Sequence, residues 1–75
     1  MLEKITIYVE LLEEGTDTWR ATKAINLGNG TYQLLPTENY DPEDEIWAFL
    51  PGTIVGVKQS SDFHGRLITI AVKTI

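Results

Sequence analysis

Short apolar segments recur about every ten residues along the chain, separated by clusters of Gly, Pro, Asn and Asp. The clearest segment is "KITIYVELL", in which Ile5, Ile7, Val9 and Leu11 alternate with residues that point the other way. A period of two with many β-branched residues is typical of a strand that buries one face. Because no segment carries a convincing helical period, the pattern predicts an all-β chain of five or six strands.

Six segments fit this pattern, and they read "KITIYVELL", "TWRATKAINL", "TYQLLP", "IWAFL", "TIVGVKQ" and "RLITIAVKTI". The turn signals between them are "EEGTD" with Gly15, "GNG" at 28–30, the Pro-Gly pair at 51–52 and "SSDFHG". Pro36 ends the third strand because proline cannot donate to a strand ladder.

Four details of the strands are also predicted. In the second strand, Ile25 and Leu27 place the inward face on the odd-numbered residues. In the fourth, Trp47 and Phe49 alternate with apolar residues, which predicts burial on both faces, or else a ring set that covers an open barrel end or a dimer contact. Gly56 inside the fifth predicts a bulge, a bend or a close approach of backbone. In the sixth, one face carries three aliphatic side chains, those of Ile68, Ile70 and Val72.

The length of 75 residues predicts a single domain over residues 1–75. No cysteine is present, so neither disulfides nor thiolate metal sites can stabilise it. Apolar packing must do so, as a monomer or a weak homo-oligomer. An antiparallel barrel of five or six strands is the most economical arrangement, because closure removes exposed strand edges.

The net charge is −5 and is unevenly distributed. Residues 1–50 contain ten acidic and three basic residues, whereas residues 51–75 contain one acidic and three basic residues. Nucleic acid is an unlikely partner for a chain this acidic, since phosphate binding depends on Lys and Arg. No apolar run approaches the roughly 20 residues that cross a bilayer. The charged start "MLEKITIYVELLEEG" is unlike a signal peptide, so we expect a cytoplasmic protein with no membrane contact.

Three stretches carry a resemblance to known proteins: "IYVELLEEGTDTWRA", "LGNGTYQLLP" and "NYDPEDEIWAFLPGTIV". Together they resemble a family of small uncharacterised bacterial proteins, over nearly the whole chain. The resemblance implies a bacterial, cytoplasmic, all-β protein and carries over no catalytic residue. The family pattern has proline after Arg20, where this chain has Ala21. The hairpin "TWRATKAINLGNGTYQLL" and the stretch "LPGTIVGVK" are also similar to SH3-like barrels of the Tudor and KOW kind, which implies that fold.

The stretch "ENYDPEDEIWAF", residues 38–49, is the strongest candidate site because it holds five carboxylates and three aromatic rings. The carboxylates could bind Ca²⁺ or Mg²⁺, but their spacing does not match an EF-hand loop. A solvated loop is the commoner outcome, and a charged surface for a partner is the third reading. We predict no metal and no cofactor. The carboxylates belong to Glu38, Asp41, Glu43, Asp44 and Glu45.

The aromatic rings allow two interpretations. Tyr40 and Trp47 beside the acidic loop could form a cage for a cationic ligand through cation–π attraction. Large rings also fill the core of a small barrel, and this structural role is favoured for Trp19 and Trp47.

Two other residue sets carry less weight. Ser60, Ser61, Asp62 and His64 are the residue types of a hydrolase triad, but neighbours in one loop do not converge on a substrate, so we predict no enzyme. A basic stripe for nucleic acid would form if the last two strands lay beside the second, with Trp19 or Tyr32 adding a ring. Its members would be Arg20, Lys23, Lys58, Arg66 and Lys73.

The sequence therefore predicts a small SH3-like β-barrel that binds another protein through an acidic, aromatic-bearing surface. The alternative is an accessory nucleic-acid-binding barrel. The candidate binding residues are Trp19, Tyr40, Asp41, Glu43, Asp44, Glu45 and Trp47.

Overall fold

The computed structural model describes residues 3–12, 18–61 and 64–75. These residues contain six strands and no helix, so the described part has no helix able to cross a bilayer. The prediction of an all-β chain is confirmed. The predicted turn at Gly15 lies outside the described residues, as do Asp62 and Phe63 of the last loop. The strands are β1 (Lys4–Leu12), β2 (Trp19–Gly28), β3 (Thr31–Leu34), β4 (Ile46–Trp47), β5 (Ile54–Ser61) and β6 (Leu67–Thr74).

Five of the strands form an uneven ring, in the order β1, β2, β3, β5, β6 and back to β1. Four contacts are antiparallel, but β6 lies parallel to β1 through the single pair Tyr8 and Ile70. The short β4 lies outside the ring, paired with the end of β1. Neighbouring directions alternate in an antiparallel ring, so an odd number of strands cannot close without one parallel contact. The prediction of a fully antiparallel sheet is therefore wrong at this contact.

The core is formed by the inward faces of the ring. In β1 the predicted alternation is confirmed, since Ile7, Val9 and Leu11 are buried. Phe49 and Val57 are partly buried and pack against the same core. The other buried members of this cluster are Ala24, Leu34, Trp47, Val55 and Ala71.

The inward face of β2 differs from the prediction. Thr22 and Ala24 are buried, whereas Leu27 on the opposite face is 40% exposed. The cause is the register with β1, which pairs Thr22 with Ile7 and Ala24 with Ile5. Paired residues point to the same face, so the apolar face of β1 sets the inward face of β2.

A bulge in β6 alters which of its residues point inward. Gly56 of β5 pairs with Lys73, and the next residue, Val57, pairs with Ala71, so Val72 has no partner. The predicted irregularity at Gly56 is confirmed, and the extra residue lies on β6. A β-carbon at Gly56 would lie 3.0 Å from Lys73 Cε, so the close neighbour is a side chain and not backbone as predicted. Ala71 belongs to the core cluster. Ile70 is buried but Val72 is 39% exposed, so the predicted face of Ile68, Ile70 and Val72 is interrupted at Val72.

One hairpin turn and one short strand complete the fold. The "GNG" turn holds Asn29 at a φ of 54°, with positive φ at both flanking glycines, as its composition predicts. The segment "IWAFL" forms only the two-residue strand β4. Its prediction of burial on both faces is wrong, because Ile46 and Leu50 are 40% and 56% exposed.

Candidate functional site

The acidic loop, residues 36–45, contains two consecutive hydrogen-bonded turns. In the first, the backbone N–H of Tyr40 donates to the carbonyl of Thr37 at 3.1 Å. In the second, the N–H groups of Asp44 and Glu45 donate to the carbonyl of Asp41 at 3.0 and 2.9 Å. The Asp41 carboxylate also accepts the N–H of Glu43 at 2.9 Å. The loop is polar and exposed, but these hydrogen bonds fix its backbone conformation.

The sequence explains the second turn. Asp is favoured at the first position of a β-turn because its side chain accepts a backbone N–H two residues later. Proline suits the second position, since its ring fixes φ and its missing N–H is not needed there. Asp41 and Pro42 occupy these positions.

Strand β4 connects the loop to the core. Leu11 pairs with Trp47, and the Ala48 N–H donates to the Glu10 carbonyl at 2.8 Å. Trp47 shares the inward face of Leu11 and is only 2% exposed. Its ring is therefore part of the core and supports the acidic loop from beneath.

Glu45 binds two side chains through one carboxylate oxygen. Oε1 accepts Trp47 Nε1–H at 2.9 Å and Arg20 Nε–H at 3.0 Å. The Glu45 side chain is 17% exposed and that of Arg20 is 44% exposed. The hydrogen bond from Trp47 lowers the pKa of the Glu45 carboxyl below its ordinary 4.5, and Arg20 acts in the same direction, while partial burial opposes both. Glu45 therefore serves as an internal anchor for the loop.

Tyr40 lies between the loop and the core. Its ring meets that of Trp47 edge to face, with centroids 4.9 Å apart and planes at 69°. Tyr40 is half-buried and packs against the core cluster. Only Tyr40 of this ring pair has substantial surface for a ligand, so the structure does not form a cage from Tyr40 and Trp47.

Trp19 is separated from the Tyr40–Trp47 pair. It lies opposite Glu10, whereas Trp47 lies opposite Leu11. Successive residues of a strand point to opposite faces, so the two tryptophans are on different sides of the sheet. The structure thus brings together six of the seven predicted residues and leaves Trp19 on the outer face.

Four carboxylates of the loop face solvent. Glu38, Asp41, Glu43 and Asp44 are all exposed. A shallow pocket of about 280 Å³ adjoins this surface, with Glu38, Pro36 and Ala21 in its lining. Within the described ranges, no three His, Asp or Glu side chains are grouped so as to hold a metal ion.

Two further predictions concern sites elsewhere. The basic stripe required β5 and β6 beside β2, but β1 lies between β2 and β6, so the stripe does not form as predicted. Of the triad residue types, Ser60, Ser61 and His64 lie in or beside the β5–β6 connection, and Asp62 falls outside the described residues.

Sequence reasoning missed the role of Arg20, which it assigned to a basic stripe. Arg20 and Glu45 are 25 positions apart and meet only because β1 pairs with β2 on one side and β4 on the other. The one usable signal was that Arg20 lies near the start of β2 and Glu45 directly before β4.

No family model, curated protein or solved structure matches this chain.

Proposed function

We propose that this protein is a non-enzymatic protein-interaction module that binds a basic segment of a partner through its acidic loop. The observation that supports this is the placement of four exposed carboxylates on a loop held by two turns and by the Glu45 anchor. A loop already fixed in one conformation loses less conformational entropy when it binds than a mobile one.

The loop offers more than charge. The half-buried Tyr40 ring lies among the carboxylates and could contact the aliphatic stem or the cationic group of a Lys or Arg. The adjoining pocket could receive one side chain of the partner. Carboxylates on the rim of an interface mainly raise the association rate and the specificity, so we expect binding that weakens as salt is added.

The fold proposed for this module is an SH3-like barrel, and its proposed setting is the bacterial cytoplasm. The closed order of five strands supports the barrel, as does the resemblance of the hairpin sequence. A solution structure that lacks contacts between Tyr8 and Ile70 would contradict closure. We also propose a monomer or weak homo-oligomer, which sedimentation equilibrium would test.

The binding proposal is tested with two variants of equal charge. Glu43→Gln with Asp44→Asn neutralises the loop and leaves the turn residue Asp41 and the anchor Glu45 intact. Glu3→Gln with Glu10→Gln makes the same charge change at two exposed positions, one directly before β1 and one within it. We expect the loop variant to lose both the partners captured from a bacterial lysate and the affinity for a probe peptide of alternating lysine and serine. The control variant should keep most of both.

Recovery of the same partners by the wild type and the loop variant would refute the proposal. Equal losses in the loop variant and the control would show that net charge, rather than the loop, governs binding.

A further inference from the structure

The contact that closes the ring is much shorter than the ladders beside it. β1 pairs with β2 over seven residue pairs, whereas β1 and β6 share the one pair Tyr8 and Ile70 among the described residues. Before that pair, residues 4–7 of β1 and 67–69 of β6 do not pair with each other. Each strand is held on its other side, by β2 and β5 respectively. The edges of β1 and β6 therefore face each other across a seam that is unpaired before Tyr8 and Ile70.

The seam contains a groove of about 390 Å³. Polar, aromatic and aliphatic residues of β1, β6 and the position before β6 line it. Leu67 is 74% exposed, which makes it the most exposed large apolar residue of the described chain. The lining residues are Thr6, Tyr8, Arg66, Leu67, Ile68 and Thr69.

The seam is surrounded by basic side chains, although the whole chain is acidic. Lys23 lies opposite Thr6 and its Nζ donates to Thr6 Oγ1 at 2.8 Å, which brings a cation to the groove. Lys58 lies opposite Ile70 on the other side. Arg66 lines the groove itself, and Lys4 shares the outward face of Thr6. Four of the six Lys and Arg residues of the chain thus flank this seam.

From these features we propose that the seam binds an extended acidic peptide segment of a partner protein, which pairs with the open strand edges. Unpaired N–H and C=O groups of a strand edge are a template for an added strand. The cations select acidic side chains on the outward face of that strand. Phosphate-backbone binding fits less well, because it uses none of the edge hydrogen-bonding groups and the chain carries a net charge of −5.

The seam and the carboxylates of the acidic loop are separate surfaces, although Thr6 lines both the groove and the pocket beside Glu38, and Lys23 also lines that pocket. The seam lies along the first half of β1, and the loop adjoins its last residues through β4. A nine-residue strand is about 25 Å long, so one module would present two surfaces of opposite charge. The failure of either binding proposal leaves the other standing.

The test uses the full chain, three synthetic peptides and an oligouridylate. The first is a capped peptide of alternating glutamate and valine. The second has the same sequence with alternate backbone nitrogens methylated, which removes the donors along one edge of the peptide. The third replaces glutamate by lysine. Binding is followed by ¹H–¹⁵N NMR and by amide hydrogen exchange.

We expect only the first peptide to bind, with slower exchange of amides within residues 4–7 and 67–69. Lys23→Glu and Lys58→Glu should each weaken it about fivefold at low salt. Lys73→Glu provides a matched control, because this exposed lysine lies over Gly56, away from the groove. It should change the affinity by less than about twofold.

Four results would overturn the proposal. Equal binding of the methylated peptide would show attraction by charge without strand pairing. Binding of oligouridylate in place of the peptide would indicate a nucleic-acid surface. Seam amides already protected in a dimer would show that a second copy covers the groove. No binding of any probe would show that the open edges do not recruit a strand.

Discussion

At the scale of single residues, the Glu45 side chain is the anchor of the acidic loop. Its Oε1 satisfies the buried indole N–H of Trp47 and also pairs with the exposed Arg20. The two contacts differ in kind. A buried donor left without an acceptor loses its full hydration energy, whereas an exposed ion pair contributes little.

Replacing Glu45 by Ala should therefore cost about 1–3 kcal/mol of unfolding free energy, because Trp47 Nε1 loses its acceptor. Arg20→Ala should cost less than about 1 kcal/mol. Urea denaturation followed by circular dichroism measures both. Equal losses in the two variants would mean that the ion pair, not the indole hydrogen bond, is the main contribution.

The same carboxylate predicts a dependence on pH. The pKa of Glu45 is lowered in the folded state, so its contribution to stability is present above about pH 4.5 and is lost as the pH falls through the lowered value. Glu45→Gln cannot titrate. We expect the stability difference between wild type and Glu45→Gln to shrink between pH 5 and pH 3, as measured by urea unfolding at each pH. A constant difference across this range would contradict the assignment.

At the scale of elements, strand pairing determines which face of a strand is buried where the local sequence pattern does not. The alternation of β1 predicts its buried face, because Ile7, Val9 and Leu11 leave no ambiguity. In β2, large side chains fall on the outer face and the small Thr22 and Ala24 point inward. Only the register with β1 settles this choice.

Two substitutions in β2 test the observed face. Ala24 is fully buried and Ala21 is exposed, and each lies on a different face of the same strand. Ala24→Leu should cost about 1–3 kcal/mol by overpacking the core. Ala21→Leu should stay within about 0.5 kcal/mol. Thermal or urea unfolding measures the stability of both variants. A larger loss for Ala21→Leu than for Ala24→Leu would mean that the odd-numbered residues of β2 point inward, as the sequence predicted.

The candidate site was predictable to the same extent as the strands. Its exposed carboxylates and its turn follow from the composition of residues 38–45, because Asp and Pro specify a turn locally. The anchor was not predictable, since Arg20, Glu45 and Trp47 meet through β1, which lies between their strands. The bulge at Val72 was not predictable either, because its position depends on the register of β6 with β5.

At the scale of the whole molecule, charge is separated along β1. The acidic loop adjoins its last residues, and four cations flank the seam at its first half. Within the loop, four carboxylates lie in the five residues 41–45 and repel one another. This repulsion lowers the stability of the fold and is screened by salt.

We therefore expect the unfolding free energy to rise, by less than about 1 kcal/mol, between about 0.01 and 0.2 M NaCl. Glu43→Gln with Asp44→Asn should reduce this rise, while Glu3→Gln with Glu10→Gln should reduce it less. Urea unfolding at several NaCl concentrations gives the comparison. A stability that falls with salt would show that attractive pairs such as Arg20 and Glu45 outweigh the repulsion.

The parallel closure also fixes how the fold bears mechanical load. Because β1 and β6 run in the same direction, residue 3 before β1 and Ile75 after β6 lie at opposite ends of neighbouring strands. A force that separates these two residues pulls the strands lengthwise past each other and loads the pairs of the β1–β2 and β5–β6 ladders together. Hairpins pulled from their open ends separate one pair at a time. Stretched between these points, this small domain should resist unfolding in shear.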